Sequence, residues 1–213
     1  MKNLRIAVAS GVFLLSLAQS VISAPLSTNQ APEQPIVRAF GDGKHWVANE
    51  DLVWIIGKTN EKIVVPKGFV TDYASIPPAI GIIVGLRKNG KYDRAAVIHD
   101  FLYWSQGCTR AQSDRLLVIA MKESAVAGLD SFKIFQGVDK GGKHAWEQNE
   151  RERAAGKPKV IPEKYLRPAD PNMNWPEYRD FLIENSVKDP EFPGNPSYCK
   201  YGDSTEVPTQ SIQ

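Results

Sequence analysis

One histidine and two aspartates are the side chains of this sequence whose types and spacing are best suited to chemistry. His99 and Asp100 are adjacent, and Asp114 follows after a short break in the chain. A histidine ring that is held by a carboxylate has a fixed tautomer and raised basicity, so its other nitrogen is free to take a proton from water. The trio therefore predicts a general base, with His99 and Asp114 as the catalytic pair.

Two consecutive helices are expected around this trio. The first has Asp93 as its N-cap, is apolar on most of its circumference and ends at the Gln-Gly-Cys sequence of residues 106–108. The second begins after Thr109, which forms a capping-box pattern with Gln112, and runs to about Ala127. Because the first helix has so little polar surface, we expect it to be buried.

The turn between the two helices decides which side chains meet. In an antiparallel hairpin, facing residues have position numbers with a constant sum, and a turn centred on residues 106–107 pairs His99 with Asp114 and Tyr103 with Arg110. Asp114 shares its helix face with apolar residues, so it should point inward, where a carboxylate is costly unless it is paired. Tyr103 and Arg110 are therefore predicted to support the pair.

Asp100 is a candidate ligand for a divalent cation. It lies one residue from His99, about 100° around the helix, so it cannot orient the same ring. Asp72 lies in a proline-held loop that also contains Ser75, and we predict Asp72 as a second metal ligand and Ser75 as a supporting residue. An all-oxygen site beside one histidine suits calcium, or magnesium, better than zinc.

The histidine pair also has a purely structural interpretation. A buried histidine and aspartate flanked by tyrosine and arginine is a common way to satisfy polar groups in a core. Both interpretations of His99 and Asp114 stay open on spacing alone. The other histidines, His45 and His144, lie among expected strand-edge or loop residues and are given no role in the chemistry.

The N-terminal residues have the pattern of a secretory signal peptide. Lys2 and Arg5 precede an apolar run, Ile6–Ala18, which small residues follow. The run is shorter than the roughly 20 residues that span a bilayer. We therefore expect a signal peptide over residues 1–23, a secreted or periplasmic protein, and no transmembrane segment after processing.

Charge and cysteine content narrow the function further. The formal net charge of +2, from 26 basic and 24 acidic residues, provides no global field that would recruit nucleic acid. The two cysteines, Cys108 and Cys199, are expected to form a disulfide in an oxidising compartment, with two free buried thiols as the alternative. Closing so long a loop would contribute on the order of 4 kcal/mol.

The exported part of the chain is long enough for one domain with appendages. We expect a flexible leader over residues 24–45, a core domain over 46–148, and a charged helix with a proline-rich C-terminal extension over 149–213. Two β-rich runs, Leu52–Ile56 and Lys62–Val65, flank a turn sequence and predict a hairpin.

Three further helices are expected after the hairpin helices. They are predicted over Phe132–Val138, over Trp146–Ala155 as a charged, exposed helix, and over Trp175–Asn185. The expected fold class is α+β, with a central antiparallel helical hairpin, a small antiparallel β-sheet and an irregular C-terminal extension.

About half of the chain, from Trp46 to Trp146, resembles the bacterial and phage family known as domain of unknown function 1353. The matching elements are Gly68-Phe69-Val70-Thr71-Asp72-Tyr73-Ala74-Ser75-Ile76-Pro77, Ala95-Ala96-Val97-Ile98-His99-Asp100-Phe101-Leu102-Tyr103, Arg110, Asp114, Gly141-Gly142 and Trp146. This resemblance implies membership of a family but does not indicate an activity.

A second, local resemblance implies an activity. His99-Asp100-Phe101-Leu102-Tyr103 followed by Asp114 is similar to the core of the secreted phospholipase A2 fold, especially its small bacterial members. The resemblance implies that His99 activates the attacking water, that Asp100 binds calcium and that Asp114 orients the histidine. The loop of Asp72 would then supply the remaining calcium ligands.

These observations predict an exported, phospholipase A2-like hydrolase that acts on phospholipid or another envelope substrate with a divalent cation. Two alternatives stay open: a non-enzymatic envelope or phage-associated binding protein with a buried hydrogen-bond network, and a metal-dependent hydrolase of peptidoglycan. The apolar stretch Ile80–Leu86 is either a core strand or the rim of a lipid entrance. The sequence indicates no oligomeric state.

Overall fold

The computed structural model of the protein describes residues 31–73 and 90–209, and its fold is α+β, as predicted. The predicted signal peptide, Ser75 and the stretch Ile80–Leu86 lie outside these ranges. Within them, short antiparallel sheets pack beside a helical hairpin, and an irregular C-terminal segment follows. No helix in these two ranges is both long enough and apolar enough to cross a bilayer.

Five short strands form two antiparallel sheets in the described part of the chain. The first sheet has the order β1-β2-β5, and the second pairs β3 with β4. Their bounds are β1 Val37–Ala39, β2 Trp46–Ala48, β3 Leu52–Ile55, β4 Lys62–Val65 and β5 Val70–Thr71. The β3–β4 hairpin was predicted, and its turn uses Gly57 at a φ of +56°, which favours glycine.

The first strand lies inside the segment that we expected to be a flexible leader. Val37 pairs with Ala48, and Ala39 pairs with Trp46, so residues 37–39 are an ordered part of the first sheet. That segment of the leader prediction is therefore corrected. A three-residue strand is too short to show an alternation of apolar and polar residues, so its sequence does not predict it. Its order depends on pairing with the neighbouring strand.

Five α-helices follow in the described residues. They are α1 Asp93–Ser105, α2 Arg110–Glu123, α3 Gly128–Gly141, α4 Lys143–Ala154 and α5 Trp175–Glu184. As predicted, α1 is buried along almost its whole length, between α2 and the β3–β4 hairpin. Its N-cap is Tyr92 rather than Asp93, and Asp93 lies buried in the first helical turn.

The start of α2 agrees with the sequence prediction, whereas its end does not. Thr109 Oγ1 accepts from the Gln112 N–H at 3.2 Å and Gln112 Oε1 accepts from the Thr109 N–H at 3.0 Å, which completes the capping box. The helix ends at Glu123, short of the predicted Ala127, because Ala125 adopts a left-handed φ of +54°. The Val126 N–H then donates to the Met121 carbonyl at 3.0 Å, as in a Schellman ending.

The remaining helices are found where they were predicted, with shifted bounds. Helix α3 stops at Gly141, where the Gly141-Gly142 sequence predicted its end, but it begins at Gly128, before the predicted Phe132. Its first turn was missed because the apolar residue there, Leu129, is exposed rather than part of the buried face. Helix α4 has no buried residue and is the predicted charged, exposed helix.

The C-terminal extension is attached along the body of the protein. The predicted disulfide between Cys108 and Cys199 ties it to the loop of the helical hairpin. Farther upstream, the Val70 N–H donates to the Lys159 carbonyl at 2.9 Å, and the Ile161 N–H donates to the Gly68 carbonyl at 2.8 Å. A second apolar cluster forms where α5 packs near β1 and β2, and its members include Phe40, Val47, Val70, Ile161, Trp175, Tyr178 and Leu182.

Candidate functional site

The helical hairpin brings His99 and Asp114 into direct contact, as its constant-sum geometry predicted. His99 Nε2 lies 2.9 Å from Asp114 Oδ1, and each residue is only 1% exposed. The adjacent pair of facing residues, Tyr103 and Arg110, lies on the same side of the hairpin and contacts the same carboxylate. The prediction of a buried, paired Asp114 is therefore confirmed.

Asp114 is the centre of a network of three donors. The Tyr103 hydroxyl donates to Oδ1 at 2.6 Å, and Arg110 Nη1 donates to Oδ2 at 3.0 Å. An ionised carboxylate has only acceptor positions, so it can receive all three bonds at once. The Arg110 guanidinium offsets the buried negative charge. Burial, followed by the charge of Asp114, raises the pKa of the Tyr103 hydroxyl, so Tyr103 stays a donor.

This network fixes the chemistry of the His99 ring. Because Asp114 accepts, the ring proton is on Nε2, and Nδ1 is left with its lone pair. Nδ1 is buried and has no hydrogen-bond partner among the described residues. His99 is thus bound at one nitrogen and has an unpaired acceptor at the other, which is an arrangement suited to a general base.

A cavity of about 270 Å³ lies against His99, and we call it the histidine cavity. It gathers the predicted residues Asp72, Asp100 and Tyr103 around His99. Its lining also includes Val138, Gly141, Gly142, His144, Ala145, Asn149 and Lys159. The two carboxylates that we assigned to a metal therefore share one cavity with the candidate base.

Strand β5 positions these two carboxylates. Thr71, the last residue of β5, is fully buried, and its hydroxyl donates to Asp100 Oδ2 at 2.5 Å. Asp72 follows Thr71 directly, so its backbone position is set by the same strand. Asp114 contacts the His99 ring, and the hydrogen bond described for Asp100 is to Thr71.

The described donors do not complete a calcium site. Calcium takes six to eight oxygen ligands, whereas residues 31–73 and 90–209 contain no group of three or more acidic, histidine or cysteine side chains placed to hold a metal. Calcium or magnesium at Asp100 and Asp72 stays a prediction, and no step below is derived through a metal. Ser75, the predicted supporting residue, lies outside the described ranges.

Lys159 is a site residue that the sequence analysis missed. Its backbone N–H donates to Asp189 Oδ1 at 2.8 Å, and its ammonium lies 5.3 Å from the centroid of the Trp104 ring. Lys159 forms no ion pair with a carboxylate of the described residues. Nothing in its local sequence indicates a role, because only the folding of the extension brings it to the histidine cavity.

Two residues of α4 at the cavity were also missed. His144, which we had given no role, lines the histidine cavity at the start of the helix. Asn149 lines it one turn later, and its side-chain amide donates to the Tyr103 carbonyl at 3.2 Å.

Gly142 closes the corner between α3 and α4. A methyl group placed there would lie 2.3 Å from the Tyr103 hydroxyl oxygen, so this position has no room for a side chain. The glycine thereby lets the α3–α4 corner approach the tyrosine that donates to Asp114.

Comparison with known proteins supports one of the two resemblances. Residues 46–138 match the family model described as "Protein of unknown function (DUF1353)", which is less than half of the chain. No curated protein and no solved structure matches the chain, so the phospholipase resemblance gains no support. The matched segment contains the hairpin with His99, Tyr103, Arg110 and Asp114, whereas Gly142 and Trp146 lie beyond it. The segment that carries the histidine network thus matches the DUF1353 family of proteins of unknown function, as the sequence motifs predicted.

Proposed function

We propose that this protein is an exported hydrolase that cleaves a carboxylic ester of an envelope phospholipid with water activated by His99. One observation carries the proposal: His99 lines the histidine cavity and is bound to a buried carboxylate through Nε2, while its buried Nδ1 has no hydrogen-bond partner among the described residues. A group that is oriented in this way and left with a free lone pair is suited to general-base catalysis.

In the first step, His99 Nδ1 takes a proton from water, and the resulting hydroxide attacks the ester carbonyl carbon. The ring becomes an imidazolium, and the carboxylate of Asp114 stabilises its positive charge. Tyr103 and Arg110 hold Asp114 in place through the two bonds described above. They act as positioning residues, because they contact the carboxylate rather than the reacting atoms.

In the second step, the tetrahedral intermediate collapses. The carbon–oxygen bond to the alcohol breaks, and the leaving alkoxide takes the proton from His99 Nδ1, which restores the neutral ring. Lys159 lines the same cavity, and we assign its ammonium to stabilise the developing oxyanion. The products are a carboxylic acid and an alcohol, and the net consumption is one water.

The choice of a phospholipid ester rests on the local sequence similarity around His99. We assign roles to His99, Asp100 and Asp114 by this resemblance. The corresponding residues of secreted phospholipases A2 are the histidine, its adjacent aspartate and the aspartate of the partner helix. The predicted export of the chain would bring it to envelope lipids. Added calcium or magnesium is therefore included as a variable in the test.

A structural role for the histidine network is the second candidate. It is favoured by burial, since His99 and Asp114 are each 1% exposed and Nδ1 is itself shielded from solvent. In a non-enzymatic envelope or phage-associated binding protein, the same four residues would only fix the packing of the hairpin. The two candidates differ in the expected effect of removing the ring.

The deciding experiment measures fatty-acid release from phospholipid vesicles by the purified mature protein, with and without added calcium or magnesium. His99→Gln should lower the rate at least about 100-fold, because the general base is lost. Its free energy of unfolding should fall by no more than about 2 kcal/mol, because glutamine still offers a donor to Asp114.

A matched control separates lost chemistry from lost stability. Ile119 is fully buried in α2, away from the cavity lining, and Ile119→Val should cost about 1 kcal/mol without affecting the rate. Release that is equal in the wild type and His99→Gln, or no release by the wild type under any ion condition, would reject the hydrolase. A large loss of stability in His99→Gln would instead favour the structural candidate.

A further inference from the structure

A second cavity, of about 400 Å³, adjoins the histidine cavity, and we call it the charged cavity. Asp72 and Lys159 line both cavities, so they mark the junction between the two. The other charged side chains of the second lining are Glu152, Lys157, Arg179 and Asp180. A ligand that reaches His99 therefore has a strongly polar neighbouring space available to it.

Two of these charges neutralise each other. Arg179 Nη1 lies 2.5 Å from Glu152 Oε2, and the Gln148 amide donates to the other Glu152 oxygen at 2.7 Å. The Arg179 Nε–H donates to the Pro158 carbonyl at 2.8 Å. This pair is part of the wall, but Arg179 Nη2 is buried and has no hydrogen-bond partner among the described residues. The two N–H donors on Nη2 thus lack an acceptor among the described residues.

Three other charged residues of the lining, Lys157, Lys159 and Asp180, differ from this pair. Lys157 and Asp180 are exposed and Lys159 is half-buried, and none of the three forms an ion pair with another described residue. Two ammonium groups and one carboxylate are complementary to a ligand with a phosphate and an ammonium. With Asp72 and the Arg179–Glu152 pair included, the lining has three cations and three carboxylates. A balanced lining favours a zwitterion over an anion.

We infer that the charged cavity binds the phosphoethanolamine head group of a phospholipid, with the phosphate near Lys157 and Lys159 and the ammonium near Asp180. This inference deepens the proposed function and rests on it for the position of the ester beside His99. In a phospholipid, the phosphate and the nearest ester are separated by a few bonds, which agrees with two cavities that share Asp72 and Lys159.

The test uses calorimetric titration of the full mature protein with soluble head groups, so it requires no catalysis. The probes are sn-glycero-3-phosphoethanolamine, glycerol 3-phosphate and the dipeptide alanylalanine. We expect saturable binding of glycerophosphoethanolamine. Lys157→Gln should weaken it about tenfold, because a charge-assisted contact to the phosphate is lost. Asp180→Asn should weaken glycerophosphoethanolamine and leave glycerol 3-phosphate, which has no ammonium, unchanged.

Three results would overturn the inference. They are the absence of saturable glycerophosphoethanolamine binding, wild-type affinity in both variants, and tighter binding of alanylalanine, which would assign the cavity to a peptide. His99→Gln should bind the head group like the wild type, because His99 does not line the charged cavity. Head-group binding without any ester hydrolysis would reject the proposed function and leave the binding site intact, so the two failures are distinguishable.

Discussion

The helical hairpin and the C-terminal extension both contribute to the candidate site, but they do so in different ways. The hairpin supplies His99, Tyr103, Arg110 and Asp114, which are close in sequence and meet because two antiparallel helices face each other. The extension supplies Lys159, whose position depends on contacts with residues that are far away in the chain.

The two regions therefore show two ways of positioning site residues: by local sequence spacing in the hairpin and by long-range contacts in the extension. The hairpin network forms wherever the turn and the two helices form, so it is set by spacing. The extension has little regular structure between α4 and α5, and it is held by a disulfide, by Asp189 and by Asp42. Perturbing these three attachments should affect the extension, whereas perturbing Asp114 should affect the hairpin.

The largest effect is expected from removing the disulfide. Cys108 and Cys199 are 91 residues apart, and in the chain-entropy model a loop of that length contributes about 4 kcal/mol. The double variant Cys108→Ser/Cys199→Ser should lose that amount of unfolding free energy in urea denaturation. Protease digestion should also cut the extension before the hairpin. Equal cleavage of both regions would contradict the proposed division.

The next effect is expected at the centre of the hairpin network. Asp114→Ala removes the acceptor of three donors, of which His99 and Tyr103 are buried, and should lower the free energy of unfolding by about 3 kcal/mol. Asp114→Asn keeps one acceptor oxygen and should cost less. Chemical denaturation of both variants beside the wild type provides the measurement. If the alanine variant is as stable as the wild type, Asp114 is not the centre of the network.

A smaller effect is expected where the extension meets α1. Asp189 accepts from the backbone N–H groups of Lys159 and Val160 at 2.8 and 2.7 Å and from the Trp104 indole at 2.5 Å. Burial raises the pKa of the Asp189 carboxyl despite these bonds. Asp189→Ala should cost about 2 kcal/mol and displace Lys159 from the histidine cavity.

The control for that substitution is Asp170→Asn, at an exposed aspartate whose side chain accepts a hydrogen bond from the Asn172 N–H. It should change stability by less than about 0.5 kcal/mol. Lys159 can be followed by the reactivity of its amine toward an acylating reagent. Unchanged Lys159 reactivity in Asp189→Ala would show that Asp189 does not position the lysine.

The smallest effect is a pH dependence at Asp42, which links the first sheet to α5. Desolvation alone would raise its pKa, but hydrogen bonds from the Lys44, His45 and Trp175 N–H groups and from the His45 ring lower the pKa of Asp42 to about 2. A carboxyl with a lowered folded-state pKa contributes stability above its ordinary pKa, and this contribution disappears as the pH falls toward 2.

Asp42→Asn should therefore be less stable than the wild type at pH 5 by about 1 kcal/mol, and the difference should close between pH 4 and pH 2. Thermal unfolding of both proteins across this range measures the difference. A gap of constant size at all pH values would show that the charge of Asp42 contributes nothing to the attachment.

The helical hairpin could be predicted from the sequence because the residues that define it are close together in the chain. The capping box of Thr109 and the helix break near Gly107 set the register, and the register placed His99 opposite Asp114. The end of α2 was missed because Ala125 takes a left-handed conformation that is usual for glycine, so no residue type marks it.

The rest of the site could not be predicted from the sequence for a different reason. Lys159 and Asn149 are polar residues in polar segments, and only long-range packing distinguishes them from solvent-exposed neighbours. Strand β1 was likewise missed, because its three residues are ordered by pairing with β2 rather than by their own pattern.

The central claim is that Asp114 holds His99 with the ring proton on Nε2 and leaves Nδ1 as an acceptor. Long-range ¹H–¹⁵N correlation of the histidine side chains in the labelled protein tests it directly and requires no substrate. We predict the Nε2–H tautomer for His99 at neutral pH, with that pattern lost in Asp114→Ala. A ring that carries its proton on Nδ1 would contradict the claim, because its only open nitrogen could not accept a proton from water.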